Sequence, residues 1–162
     1  MPTEQHTPSA MPRTEIDGLT ELIARLEKAS GPDRSLGHDV LLACGWRRTC
    51  VGHFYGPLWH WSSPDGKRSW PEDSLPCPTA SIDAALQLVP EGWVCSRVDN
   101  RRRYGDWLVK LRAIDEEQTI HVAHKSLRIA LCIAVLKCRT CGRKLKSLAG
   151  LCQHNRDKHG ER

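Results

Sequence analysis

The sequence predicts an α+β protein in which an antiparallel sheet is flanked by helices. Three observations lead there. Ile16, Leu19, Ile23 and Leu26 recur along one helical stripe. Trp107, Val109 and Leu111 alternate with Lys110 and Arg112, the period of a half-buried strand. The strand-like runs are joined by short turns, which pair neighbours antiparallel rather than through crossovers.

In chain order, residues 1–13 carry three prolines with Thr, Ser and Gln and little to bury, and read as a disordered tail. A helix follows from Thr14, its expected N-cap, and stops at Gly31-Pro32. Residues 36–46 suit a short second helix ending near Gly45. From Trp46 to Pro78 the composition shifts to Trp, Gly, Pro and Ser. Trp59 and Trp61 flank His60 on one strand face, and Ser63-Pro64-Asp65-Gly66 is a turn signal between two short strands. Ser81 caps a helix with Ile82, Ala85, Leu86 and Val89 inward, which Pro90 ends. Residues 92–98 read as a strand, Asp99–Gly105 as an Arg-rich turn, and Trp107–Leu111 as the returning strand of a hairpin. His121 and His124 flank a joint leading into a nearly all-apolar helix, Ser126 to Lys137. The order is α, (α), β, β, α, β, β, α over a body of residues 14–137.

The 162-residue chain is 40% hydrophobic and 27% charged, enough apolar material for a packed core. No window is long and apolar enough for a membrane span, and residues 1–12 lack the basic start and apolar stretch of an export signal. The expected location is the cytoplasm, with no membrane partner. There, single cysteines such as Cys44, Cys50, Cys77, Cys95 and Cys132 act as small hydrophobes. Residues 1–137 balance 17 basic against 17 acidic residues. Residues 138–162 hold seven basic residues against Asp157 and Glu161, so the whole net charge of +5 lies in this last segment.

That segment carries the clearest chemistry. Cys138 and Cys141 are two residues apart, twelve residues separate Cys141 from His154, and four separate His154 from His159. Zinc takes four thiolate or imidazole ligands in a tetrahedron, and C-x2-C-x12-H-x4-H is the spacing of a Cys2His2 finger. Leu145 and Leu151 stand where a ββα finger builds its small core. One structural Zn2+ held by Cys138, Cys141, His154 and His159 is therefore expected, in a finger spanning 138–162. So small a unit relies on the metal for folding energy, on the order of 10 kcal/mol. Counting His154 as helix position 7, the base-reading positions −1, 3 and 6 are Ser147, Gly150 and Gln153. Only Gln153 has a bidentate edge, suited to adenine. Arg143, Lys144, Lys146, Arg156 and Lys158 suit phosphates. Weak nucleic-acid binding with little sequence preference follows.

Three blocks carry a resemblance: Leu19-Thr-Glu-Leu-Ile-Ala-Arg-Leu-Glu-Lys-Ala-Ser-Gly-Pro-Asp-Arg34, Thr79-Ala-Ser-Ile-Asp-Ala-Ala-Leu-Gln-Leu-Val-Pro-Glu-Gly-Trp93, and Ser126-Leu-Arg-Ile-Ala-Leu-Cys-Ile-Ala-Val-Leu-Lys137. Residues 16–137 resemble the phage ABA sandwich domain, a family of tailed phages and alphaproteobacterial prophages. The resemblance implies an α/β/α sandwich and a phage or prophage origin, hence a bacterial host cytoplasm, and no activity. The Trp-rich insert from His53 to Trp70 and the finger depart from the family. The expected role is thus a phage-type zinc-binding accessory protein that contacts nucleic acid, and not an enzyme. Two alternatives stay open: a protein-interaction or inhibitor module acting on a host protein, with the finger structural only, and an enzyme with a site near His53, His60 and Asp65. No nucleophile elbow, H-E-x-x-H or phosphate loop supports the latter. Arg101-Arg102-Arg103 with Tyr104 reads as a solvated turn or as a second nucleic-acid contact.

Overall fold

A computed structural model describes residues 13–52, 56–101, 105–115 and 117–141. The expected tail, His53 and the segment after Cys141 lie outside the described residues. Helix α1 spans Arg13–Lys28. Thr14 lies inside it and is not its N-cap. Leu19, Leu22 and Leu26 form its buried stripe, with Ile23 packed at the margin. Helix α2, Arg34–Ala43, begins earlier than the sequence suggests because Asp33 is its N-cap: the Asp33 carboxylate accepts the Leu36 N–H at 3.0 Å. It ends at Cys44 and Gly45, whose φ of +88° turns the chain away.

Three short strands follow, β1 Arg47–Cys50, β2 Trp59–Ser62 and β3 Ser69–Pro71. They pair antiparallel in the order β1-β2-β3. The sequence pointed to the β2–β3 hairpin and missed β1, whose Arg-Arg-Thr-Cys has no apolar alternation because its residues lie largely in solvent. In the connecting turn the Ser63 hydroxyl accepts the Arg68 N–H at 3.0 Å and Asp65 accepts the Lys67 N–H at 3.1 Å. Hydrogen bonds from the Ser63 hydroxyl and then the Lys67 N–H hold the Asp65 carboxyl below its ordinary pKa. Helix α3 is Ile82–Leu86, capped as expected by Ser81, whose hydroxyl accepts the Ala84 N–H at 3.3 Å. Its buried residues are Ala84 and Ala85, and Leu88 just beyond it is buried as well. Ile82 and Leu86 are each 39% exposed, so the inward set differs from the expected one. At five residues the helix turns too few times for the longer periodicity to hold.

The remaining strands, β4 Trp93–Arg101, β5 Asp106–Ala113 and β6 Thr119–His124, form a second antiparallel sheet in the order β4-β5-β6. The described residues thus form two three-stranded sheets where the sequence suggested one. The hairpin strand continues to Arg101, because residues expected in the turn pair with Trp107 and Asp106. His121 and His124 lie within β6, where Ile120 and Val122 alternate inward. The last helix, α4, covers residues 127–141 and runs on beyond Lys137. The Ser126 N–H, at its start, donates to His124 Nδ1 at 2.9 Å.

Helices α1 to α4 and strands β2, β5 and β6 contribute buried residues to one core cluster. From Ile129 to Leu136 no residue of α4 is more than 1% exposed. A helix buried on every face needs protein on all sides, and residues of α1, α2, α3, β2, β5 and β6 share its cluster. A second interaction joins distant segments. Thr79, fully buried, donates to the Asp33 carbonyl at 2.7 Å and accepts the Asp33 N–H at 3.2 Å. Beside it, a Cβ on Gly37 would stand 2.5 Å from Cys77 Sγ, so only glycine lets α2 approach this loop.

Thr79→Val removes the hydroxyl and takes from the Asp33 N–H its partner, while the Asp33 carbonyl keeps the Gly37 N–H at 2.9 Å. It should destabilise the full chain by about 1–3 kcal/mol in urea denaturation, with Thr79→Ser close to the parent. Gly37→Ala should cost about 1–3 kcal/mol by overpacking against Cys77. An unchanged midpoint in both variants would mean that this joint does not hold α2 in place.

Candidate metal centre

Cys138 and Cys141 sit on the last turns of α4, three residues apart and therefore on neighbouring positions of one helical face. The two-residue spacing suggested a knuckle opening a separate unit, whereas the backbone stays helical through both cysteines. The Thr140 hydroxyl folds back to the Lys137 carbonyl at 2.8 Å. Cys138 is 1% exposed and belongs to the core cluster, and Cys141 is half-buried against it. Both thiols are free. Burial pushes the Cys138 thiol up to about 12, the neighbouring Cys141 adds to this, and Arg139 opposes it. Without a cation this donor is a neutral thiol, so metal binding would release its proton.

Two soft donors on one helical face fit a zinc ion, as paired ligands on one face do in other helix-borne sites. They supply half of a tetrahedral set. The other two expected ligands, His154 and His159, lie outside the described residues, as do Arg143, Lys144, Lys146, Ser147, Gln153, Arg156 and Lys158. Among the described residues no three His, Cys, Asp or Glu side chains gather where a metal could bind.

Between the two cysteines, Arg139 turns towards α2. Its Nε is buried and finds no hydrogen-bond partner among the described residues. The guanidinium lies against the Cys44 thiol, whose pKa burial raises and Arg139 lowers. Arg139 lines a cavity of about 540 Å³ between α1 and α2, which Arg25 and Asp39 border with an ion pair at 2.9 Å. It also lines a smaller cavity of about 350 Å³ beside Trp46 and Pro90.

Among the described residues of the Trp-rich insert, His60 and Asp65 have separate partners. His60 Nδ1 lies 3.4 Å from Ser69 Oγ, and Asp65 is engaged by its own turn. His53 is outside the described residues. The insert is instead tied down by groups the sequence did not single out. The Arg48 guanidinium lies 4.2 Å from the Trp59 ring centroid and makes a forked pair with Glu72 at 2.7–3.0 Å. The His38 ring packs 4.8 Å from the buried Trp61 ring. Burial is the main cause that lowers the His38 pKa, so the ring favours its neutral form. No spacing in the sequence links Arg48 to Glu72, because their contact is made across the sheet.

No family model, no curated protein and no solved structure matches the chain.

The enclosure of α4 is open to a chemical check. Burial, with the Cys44 and Cys77 thiols nearby, pushes Cys132 up to about 12. At pH 8 its thiolate fraction is then about one in ten thousand. Iodoacetamide should label half-buried Cys50 while Cys132 stays unmodified in the folded protein, and label both in guanidinium, as read by peptide mass spectrometry. Equal labelling of the two in the folded state would show that α4 is not enclosed.

Proposed function

We propose that this chain is a phage-type accessory protein that holds one zinc ion through Cys138, Cys141, His154 and His159 and binds nucleic acid weakly through the basic segment around those ligands. The carrying observation is the coincidence, within the last 25 residues, of a complete Cys2His2 ligand pattern with the whole net positive charge of the chain. Cys138 and Cys141 share one helical face, which places two of the four proposed donors side by side. Zinc would supply structure and no reactive position, because all four ligand places are filled by side chains.

The body, in the same proposal, is the α/β/α sandwich of the phage ABA family. Support comes from the three blocks and from the contact of two of them through Asp33 and Thr79. Its formal charges balance, so long-range attraction to a polyanion is assigned to the terminal segment. Arg143, Lys144, Lys146, Arg156 and Lys158 neutralise phosphates, Gln153 offers one base contact, and Ser147 a weaker one. Such binding is dominated by counterion release and has little sequence preference.

Elemental analysis of the purified protein should find one zinc per chain. Cys141→Ser should lose it while the far-UV circular dichroism of the body is retained, since Cys141 only borders the core. Absence of zinc, or collapse of the body on chelation, would sink the two-part arrangement. In fluorescence anisotropy with labelled duplex DNA, affinity should fall with salt, the terminal segment contributing roughly −3 to the log–log slope. Changing Lys144 and Lys146 together to Ala should flatten that slope by about 2 for every sequence tried. No binding at low salt would favour the rival role of a module docking on a host protein.

A further inference from the structure

The outward face of the β4-β5-β6 sheet is open, and its register assembles a basic surface that is not apparent along the sequence. Strand β5 turns Val109, Leu111 and Ala113 inward, so Lys110 and Arg112 project from the opposite face. Cross-strand partners share a face. Arg97 pairs with Lys110, and Lys110 pairs with His121, which aligns two cations and an imidazole in one row across three strands.

A bulge makes this row. The register shifts between Cys95 and Arg97, which inserts Ser96 as an extra residue. Without it, strict alternation would put Arg97 on the same face as Trp93 and Cys95. With it, Trp93 and Cys95 face in while Arg97, Asp99 and Arg101 face out.

The electrostatics of this face are not balanced by the fold. Like charges directly opposite each other cost stability in a sheet, and nothing in the core requires Arg97 opposite Lys110. Asp99 engages Arg97 at 2.9 Å, and Asp106 is the register partner of Arg101. Among the described residues no carboxylate lies within ion-pair distance of Lys110 or Arg112. Both project from the central strand, about 6.6–6.8 Å apart at strand rise, and His121 is exposed beside Lys110.

We propose that this sheet face is a second nucleic-acid surface, independent of the finger, which tracks the phosphate backbone of duplex DNA through Lys110 and Arg112, flanked by Arg97 and His121. Regularly spaced cations on a rigid open sheet suit a regularly spaced polyanion. The described residues of the face include no Trp, Tyr or Phe, so it offers no stacking platform for unpaired bases and no aromatic anchor for a lipid surface. It is a positioning surface and reads no sequence.

The test uses the full chain and a labelled 20-base-pair duplex of arbitrary sequence at low salt. Lys110→Ala with Arg112→Ala should weaken binding roughly tenfold or more and flatten the log–log salt slope by about 2. The charge-retaining pair Lys110→Arg with Arg112→Lys should bind like the parent. Both positions face outward, and an unchanged thermal melt of each variant shows that the fold is kept. The same pair made in the Lys144→Ala, Lys146→Ala background should produce the same loss again, which separates this face from the finger. Unchanged affinity and slope in Lys110→Ala with Arg112→Ala would overturn the proposal and leave the finger reading standing. Tighter binding to the matching single strand, or to phosphatidylserine vesicles in place of DNA, would overturn the assignment to a duplex.

Discussion

Eight consecutive residues, Ile129 to Leu136, are withdrawn from water on every side, and the other elements are arranged around them. A helix of this kind has no solvent face to give away, so each neighbour must supply an apolar surface. Helices α1 and α2 offer Leu22, Leu26, Val40 and Leu41, and the second sheet offers Val109, Leu111, Ile120 and Val122. Each fully buried Leu, Ile or Val side chain contributes roughly 1.5–3 kcal/mol through removal from water, so this axis outweighs the surface ion pairs. The helix does not end with the apolar run. It carries the same enclosure to Cys138, so a candidate zinc ligand is also part of the core. The proposed metal site and the packing of the body would thereby meet at one residue.

The smaller sheet is held differently. Most of its side chains face solvent, and only Trp61 reaches the core. Its position depends on a few specific contacts: the His38 ring against Trp61, and Arg48 placed between Trp59 and Glu72. Arginine suits the second role because its planar fork can meet a carboxylate on two sides while its face lies on an indole. Thr79 acts likewise at the other end of α2, where one hydroxyl satisfies both backbone groups of Asp33. These are specific polar and aromatic contacts that add little apolar area.

Charge is distributed on two scales. By count the body is neutral and the last 25 residues carry the net charge. Within that neutral body the sheet sorts charges by face. Basic residues from three strands gather on the open side of β4-β5-β6, while Asp99 is drawn into an ion pair with its own neighbour. A total near zero therefore does not describe the local field, which depends on which side of the pleat each residue occupies.

Much of this was legible in the sequence, for a physical reason in each case. The α1 stripe, the Ser81 cap, the β2–β3 turn and the β4–β5 hairpin each express a local rule, a periodicity or a side chain bonding its own backbone, and the structure keeps them. The Cys-x2-Cys spacing was legible too, because residues three apart meet on any helix or tight turn. Strand β1 was not, since Arg47 to Cys50 becomes a strand only by pairing with β2. Nor were the Ser96 bulge and the Arg97–Lys110–His121 row, because a one-residue slip of register changes the face of every later side chain without altering a letter. The sequence by itself determined the α+β character and the ligand spacing, which depend on neighbours a few residues apart. The tertiary structure alone decided the division into two sheets, the burial of Cys138 and the gathering of cations on one face, since each depends on residues brought together from distant parts of the chain.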